Sequence, residues 1–307
     1  MSSVLTVTPP ELAVRDYEVV LVAYRSAPLV AERLEALGPD VPAVVVDNFH
    51  GADGLRELVA DRPHTRYLDG PGRGFASGAN LAVRSSTYDA VVLVNPDSDP
   101  SVAQLDALVA DLAEPDLAAV GALITDARGR PQLGVGGWEP SARRALVQAL
   151  GMHTLFPRAG LWARPAPGER IALDRVTGTC LALRTATFTA VGGFDEAFFV
   201  YSEDVDYSRR LARAGYRLAL RTDLLVPHGH VASGDAPERM LRYPGASLMR
   251  DVRRRHGGLE GVTIAAALTV GSVLRAALAG ARRRPAGARG HLAYARGLWF
   301  GPPPEAS

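Results

Sequence analysis

The chain has 307 residues, 47% of them hydrophobic and 22% charged, enough for one large α/β unit with an appendage or for two modest domains. Its single cysteine, Cys180, excludes an internal disulfide framework and fits a reducing compartment. The net charge of +1 hides an asymmetry: all 34 basic residues are arginine, and from Arg239 onward 12 of them meet only three acids, whereas the other 22 meet 30. A basic tail of this kind either faces an anion, such as a phospholipid headgroup or a diphosphate, or is a solvated end. The opening residues lack a basic start followed by a long apolar core, so no secretory signal is expected and the cytoplasm is the expected address.

The predicted elements begin with YEVVLVAY (17–24), a short apolar strand. In SAPLVAERLEALG (26–38), Leu29, Val30, Leu34 and Leu37 share a helical face that closes on Gly38. VPAVVVDN (41–48) is a second strand, TRYLDG (65–70) a third and DAVVLVNPD (89–97) a fourth. Between the last two, GPGRGFASGANLAVRSS (70–86) is a glycine-rich turn leading into a helix. This alternation predicts parallel strands covered by helices, a layout in which ligands sit beyond the carboxyl ends of the strands. Asp47, Asn48, Asn95 and Asp97 fall at those ends and are expected to converge. Residues 131–172, rich in Gly and Pro, predict a hairpin and a loop-rich insertion. Order resumes over 176–220 as strand, short helix, Gly-Gly turn, acidic helix start and strand. The C-terminal part opens with a basic helix, and its uncharged run GVTIAAALTVGSVL has 14 residues, short of the ~20 that span a bilayer. Flanked by Arg275 and by Arg282, Arg283 and Arg284, that run reads either as a helix lying on a membrane surface or as one packed on its own domain.

Two acidic centres point to chemistry. NPDSD places Asp97 and Asp99 directly after the fourth strand, and side chains two apart in an extended segment share a side. Hard cations such as Mg2+ or Mn2+ take one or two carboxylates together with substrate phosphates. Asp97 is the expected metal ligand; Asp99 is a second candidate ligand, although capping of a helix that starts near Pro100 is its favoured role. The other centre, YSEDVDYSRRLARAGY (201–216), opens a helix with Glu203, Asp204 and Asp206. Three acids in a first turn suit the helix dipole, yet their mutual repulsion also raises a carboxyl toward what a general base needs. His228, at the end of an apolar run, offers a neutral imidazole to complete a metal site.

In this order, VVLVAY, VVVDN, GRGFASGANLAV, VLVNPD, VTGTCLALR, VGGFDEAFFVYSEDVDYSRRLARAGY and VPHGHVAS resemble the family 2 glycosyltransferases over about residues 17–256. The Asn-Pro-Asp variant looks most like the bacterial rhamnosyltransferases of that family. The resemblance implies a GT-A type α/β fold for nucleotide-diphospho-sugar transfer, with a mostly parallel sheet flanked by helices and a C-terminal helical appendage. It implies a catalytic domain over 14–236, with a nucleotide-binding half to about 125 and an acceptor half from about 126, then a basic, partly apolar helical region over 237–307.

The roles it implies run residue by residue. Tyr24 and Asp47 would line the base pocket, Asp47 accepting from a pyrimidine N–H, with Arg73, Gly74 and Asn80 bordering the nucleotide. Asn95 and Asp97 stand at the family's two-acid motif, Asp97 on Mg2+ or Mn2+. His228 would contact the metal or the diphosphate, its spacing to Ser233 favouring it over His230. Asp204 would be the base, Gly178, Asp195, Glu196 and Glu203 would shape the acceptor side, and Asp206 would stabilise the helix start. Arg25 stands where relatives often have Asn, and Cys180 reads as a small buried side chain.

The implied activity is inverting transfer of a sugar to a saccharide or polyprenyl-diphosphate-linked acceptor in cell-envelope polysaccharide assembly. The donor is read as dTDP-rhamnose, with other dTDP- or UDP-linked sugars open, and peripheral membrane contact through 239–300 accompanies it, with no nucleic acid as partner. Two other readings stand beside this one. A sugar nucleotidyltransferase would carry a glycine-rich loop after the first strand, which VAYRSAP lacks; a non-catalytic nucleotide-sugar-binding relative would have no need of two intact acidic centres.

Overall fold

Valine-rich runs buried on both faces form the middle of the molecule, in a computed structural model that describes residues 16–168, 170–229 and 237–302. In chain order the elements are β1 (Tyr17–Ala23), α1 (Ala27–Leu37), β2 (Ala43–Asp47), α2 (Leu55–Ala60), β3 (Thr65–Asp69), α3 (Phe75–Ser85), β4 (Ala90–Val94) and α4 (Val102–Asp111). They continue with β5 (Leu117–Thr125), β6 (Gly136–Gly137), α5 (Ala142–Ala149), β7 (Arg170–Ala172), β8 (Arg175–Val176), β9 (Cys180–Arg184), α6 (Thr185–Ala190), α7 (Glu203–Arg213) and β10 (Arg217–Pro227). Three helices close the described chain: α8 (Glu238–Arg255), α9 (Gly258–Ala281) and α10 (Pro285–Phe300).

Eight strands form one sheet in the order β3-β2-β1-β4-β9-β5-β10-β7. It is mixed, less uniformly parallel than the sequence rhythm predicts. The first four strands are parallel and β10 runs with β5, but β9 runs against both β4 and β5, and β7 against β10. The reason lies in the long excursion between β5 and β9. It brings the chain back at the carboxyl edge of the sheet, with Cys180 opposite Val94, so β9 must run backward. Val44, Val45, Val46, Val91 and Val92 have no exposed surface, and each such side chain stabilises the fold by about 1.5–3 kcal/mol. Cys180 is buried among them, its thiol pushed up to about 12 by desolvation, and is inert.

The insertion is more regular than its composition predicts. Besides loops it holds the short pairing of β6 with β8 and the helix α5, whose cap Ser141 accepts a hydrogen bond from the Arg144 N–H. The C-terminal unit also departs from expectation. Helix α9 runs for 24 residues, past Arg275 to Ala281, and is long and apolar enough by length and composition to cross a membrane. It nevertheless buries Ile264, Leu268, Gly271 and Ser272 in a second core with Leu161, Leu248 and Leu298, and a Cβ at Gly271 would lie 2.7 Å from Ala149 of α5. Its other face exposes Leu259, Val262, Val270, Val273, Leu274 and Leu278. Helices α8 and α10 cross at Gly245 and Gly297, where added Cβ atoms would meet the Tyr294 and Arg242 carbonyl oxygens at 2.3 and 2.1 Å. A buried bidentate pair, Arg209 of α7 with Asp251 of α8 at 2.9 and 2.8 Å, fastens this unit to the part of the chain that holds the sheet. Removing one partner of such a pair costs about 3–5 kcal/mol.

Candidate active site

The carboxyl ends of β1 and β2 carry an aromatic ledge. Tyr24 is exposed and meets Phe49 edge to face at 5.5 Å, while the Arg25 guanidinium lies 4.8 Å from the Phe49 ring centre and 5.5 Å from that of Tyr24. Asp47 sits beneath this ledge rather than on it. Its carboxylate is fully buried and accepts from the Phe49 N–H at 2.8 Å, the Gly51 N–H at 2.6 Å and the Tyr67 hydroxyl at 2.8 Å. The expected contact of Asp47 with a pyrimidine is therefore corrected: the carboxylate folds the turn that presents Phe49. The Tyr67 hydroxyl is pushed up to about 12 by burial and by Asp47, so it remains a donor.

The glycine-rich turn is shaped from inside. Asn48 accepts from the Gly72 N–H and donates to the Gly74 carbonyl, both at 3.1 Å. Gly74 adopts φ +97, and a Cβ there would lie 2.0 Å from the Phe199 carbonyl oxygen, the same oxygen that accepts from the Phe75 N–H at 2.9 Å. The close approach expected between Gly74 and a nucleotide is thus an approach to the 199 loop, which it holds against the turn. Arg73 is exposed at the tip. Asn80 is also corrected: it is fully buried, and its amide donates to the Phe194 carbonyl and to Glu196 and accepts from the Phe194 N–H at 2.8–2.9 Å. It locks α3 to the Gly-Gly turn and borders no cavity.

Asp97 and His228 meet because their backbones do. The Asp99 N–H donates to the Pro227 carbonyl at 2.8 Å, Ser98 bridges His228, and the His228 Nε2 then lies 3.2 Å from the Asp97 carboxylate. The other imidazole nitrogen, Nδ1, is buried without a partner. Asp99 turns away to pair with Arg33 of α1, and the cap of α4 is Ser101, which forms a capping box with Gln104. Neither role foreseen for Asp99, ligand or cap, survives this placement. His230 and Ser233 lie outside the described residues.

The second acidic centre is turned inward by the chain entering α7. Tyr201 and Ser202 both adopt left-handed backbone, φ +65 and +68, a strain of about 1–3 kcal/mol each. Glu203 and Asp204 are consequently buried rather than displayed as surface helix-dipole acids, with only 4% and 9% exposed. Burial, then the charge of Asp204, raises the Glu203 carboxyl well above its ordinary range. Asp204 is raised by burial too, but Arg175 and the backbone N–H groups of Val205, Asp204 and Gly178 pull it back, Val205 N donating at 2.8 Å. One environment thus splits two adjacent acids: it favours the proton on Glu203 and the charge on Asp204. Asp206 points elsewhere, bonded to Arg210 at 2.7 Å and to Arg255.

A cavity of about 400 Å³ joins the two centres. Asn95, His228, Gly178, Glu203 and Asp204 all line it, and Asp97 reaches it through His228. Tyr201 lies between the walls: desolvation raises its hydroxyl, and the charges of Glu203 and Asp97 add to that. Asp195 and Glu196 are not on the cavity; Asp195 pairs with Arg254 of α8, and Glu196 with Asn80 and Arg84. Their expected place on the acceptor side is corrected to tying loops together. Among the lining residues that sequence reading missed are Trp162, Arg175, Tyr201 and Tyr294. No local pattern marks them, since one arginine among 34 carries no signal until the fold buries it.

N-acetylglucosaminyl-diphospho-decaprenol L-rhamnosyltransferase of Mycobacterium tuberculosis is 30% identical to this chain over 271 residues, spanning 78% of this chain and 85% of that protein. The chain belongs to the family 2 glycosyltransferases. A low-salt glycan biosynthesis hexosyltransferase of Haloferax volcanii is 22% identical to this glycosyltransferase over 203 residues, 64% of this chain and 62% of the relative. A mannosyltransferase from Pyrobaculum calidifontis, solved with GDP-Man and Mn2+, matches it in fold with a TM-score of 0.60 at 20% identity, over 96% of this chain and 90% of that one. No family model matches the chain. The fold of the glycosyltransferase is therefore GT-A, with the C-terminal helices as part of it.

Proposed function

We propose that this glycosyltransferase moves rhamnose from a dTDP-linked donor, with inversion, onto a hydroxyl of a polyprenyl-diphosphate-linked saccharide in cell-envelope glycan assembly. The single observation that carries the reading is that His228, which pairs with Asp97 at 3.2 Å, lines the same cavity as Glu203 and Asp204. The rhamnosyl donor and the lipid-linked acceptor follow from the similarity to the mycobacterial relative, whose name contains both.

The donor base is assigned to the Tyr24–Phe49 ledge, beside the Asn48-braced turn that exposes Arg73. A divalent cation, Mg2+ or Mn2+, is assigned to Asp97 and His228 together with the donor diphosphate. The donor set suits it: one carboxylate and one imidazole nitrogen, His228 Nε2, lie 3.2 Å apart. That is the arrangement of a cation held jointly with substrate phosphates, not one caged by protein alone. Bound there, the cation would supply charge stabilisation to the leaving diphosphate.

The chain's own groups do the rest. Asp204 accepts the proton of the attacking hydroxyl while that oxygen bonds to the anomeric carbon. The bond from that carbon to the diphosphate oxygen breaks on the opposite face, and its electron pair leaves with the nucleoside diphosphate. Glu203, protonated, donates a hydrogen bond to the sugar rather than competing for the proton. Tyr201 offers a hydroxyl at the junction of the two centres. Peripheral contact with the membrane through α9 would bring the lipid-linked acceptor to the cavity.

The test is Asp204→Asn in a transfer assay that follows nucleoside diphosphate release from dTDP-rhamnose and from UDP-sugars. Transfer is expected to fall by roughly 10²- to 10⁴-fold, the usual worth of a general base, while donor affinity in calorimetry stays within about twofold. Near-normal transfer by that variant ends the assignment of the base. Faster turnover with a UDP-sugar moves the donor.

A further inference from the structure

That mechanism leaves one buried charge unused. Arg175, opening β8, is 3% exposed, and its Nε and Nη1 have no hydrogen-bond partner. Only Nη2 is held, donating to the Leu161 carbonyl at 2.9 Å, while the guanidinium carbon lies 4.0 Å from the centre of the Trp162 ring. The neighbouring acids leave Nε and Nη1 unpartnered: Glu139 and Asp251 are both taken by Arg209, at 2.6 and 2.8 Å, and Asp204 acts on Arg175 through its charge. Desolvation draws its pKa down to about 10, which still leaves it a cation at any physiological pH.

Buried N–H donors without acceptors are costly, and an anionic ligand would supply the acceptors that Nε and Nη1 lack. One face of this guanidinium is covered by Trp162, and Arg175 lines the same cavity as Asp204. Planar N–H donors of this type suit phosphate oxygens. Beside it the cavity wall turns apolar, with Pro244 and Leu248 from α8. Charge next to an apolar wall, at the end where the acceptor must enter, fits a molecule that carries phosphate between a sugar and a hydrocarbon.

We propose that Arg175 is the phosphate subsite of the acceptor: its Nε and Nη1 take the phosphate adjoining the acceptor sugar and set that sugar's hydroxyl against Asp204. The proposal rests on the reading of the acceptor as polyprenyl-diphosphate-linked. The donor also carries a diphosphate, so the test must tell the two apart.

Arg175→Met and Arg175→Lys are compared with the parent chain on two acceptors, farnesyl-diphosphate-linked N-acetylglucosamine and octyl N-acetylglucosaminide. The preference for the diphosphate acceptor, as a ratio of kcat/KM values, is expected to fall at least tenfold in Arg175→Met and less in Arg175→Lys, through KM. Donor KM is expected to hold within about twofold. The melting temperature of Arg175→Met is expected to be equal or higher, since the variant removes a buried charge, which separates lost binding from lost folding. An equal loss on both acceptors, the mark of an effect through Asp204, overturns the proposal, as does a raised donor KM. Calorimetry with farnesyl diphosphate in EDTA is the independent arm, with at least tenfold weaker binding to Arg175→Met expected. If the parent glycosylates neither acceptor yet binds farnesyl diphosphate through Arg175, the acceptor reading falls and the subsite stands; equal binding by parent and variant removes the subsite.

Discussion

Glu203→Gln separates the cost of burying a carboxyl from its use. Glu203 is 4% exposed, its Oε2 has no partner, and burial together with Asp204 lifts its pKa well above the ordinary 4.5. The folded carboxyl therefore keeps its proton at pH values where the unfolded one has lost it. The resulting penalty is absent below about 4.5 and grows as pH rises toward the folded value. Each unit of that elevation costs about 1.4 kcal/mol. With an unfolding entropy of roughly 2.1 cal/mol/K per residue over 307 residues, one unit corresponds to about 2 °C in melting temperature. Glutamine has the same shape and no charge, so by calorimetry the variant should melt above the parent near pH 7.5, by about 2 °C for each unit of that elevation, with no gain near pH 4. It keeps an N–H donor for the sugar, so its loss of transfer should be smaller than that of Asp204→Asn. A lower melting temperature near pH 7.5, or a gain that persists near pH 4, refutes the reasoning.

Three other outcomes follow from particular contacts. Asp97→Ala should raise donor KM at least tenfold and abolish the response of turnover to added Mn2+ after chelation; a variant that still responds would place the cation elsewhere. Gly74→Ala forces φ +97 on a residue with a side chain and drives its Cβ into the Phe199 carbonyl, a cost of about 1–3 kcal/mol in backbone strain before the clash is counted. It should melt several degrees lower and bind donor more weakly, and parent-like behaviour in both would mean that the two loops move independently. Val270→Asn with Leu274→Asn alters two half-exposed side chains of α9, so folding should hold. Partitioning onto anionic vesicles in a sedimentation assay should fall about tenfold if this face meets lipid, from partial loss of about 1.5–3 kcal/mol per fully buried side chain. Unchanged sedimentation would detach α9 from the bilayer.

The backbone layout was legible where the pattern is local. Runs such as AVVVD and AVVLV announce buried strands, and the acids after them sit where a parallel sheet presents ligands. What stayed hidden was direction: nothing in CLALR says that β9 runs backward, because that depends on which edge the preceding excursion leaves from. Side-chain roles were legible in part. His228, Glu203 and Asp204 line one cavity and Asp97 pairs with His228, whereas Asp47, Asn80, Asp195 and Glu196 spend their hydrogen bonds on the protein itself. A carboxylate that braces a turn and one that meets a ligand look alike in sequence; only the count of satisfied donors around it separates them. The length of α9 was misjudged for a different reason, since Arg275 ends an uncharged run but not a helix.

The two glycines where α8 and α10 cross fuse the last three helices into a single piece, and that piece supplies Pro244, Leu248 and Tyr294 to the reaction chamber. A new clientele for the enzyme can therefore arise by redrawing this piece alone, with the aromatic ledge on the far strands left as it is. The same fusion means that a shortened chain ending before α10 would be missing a wall, not merely a tether.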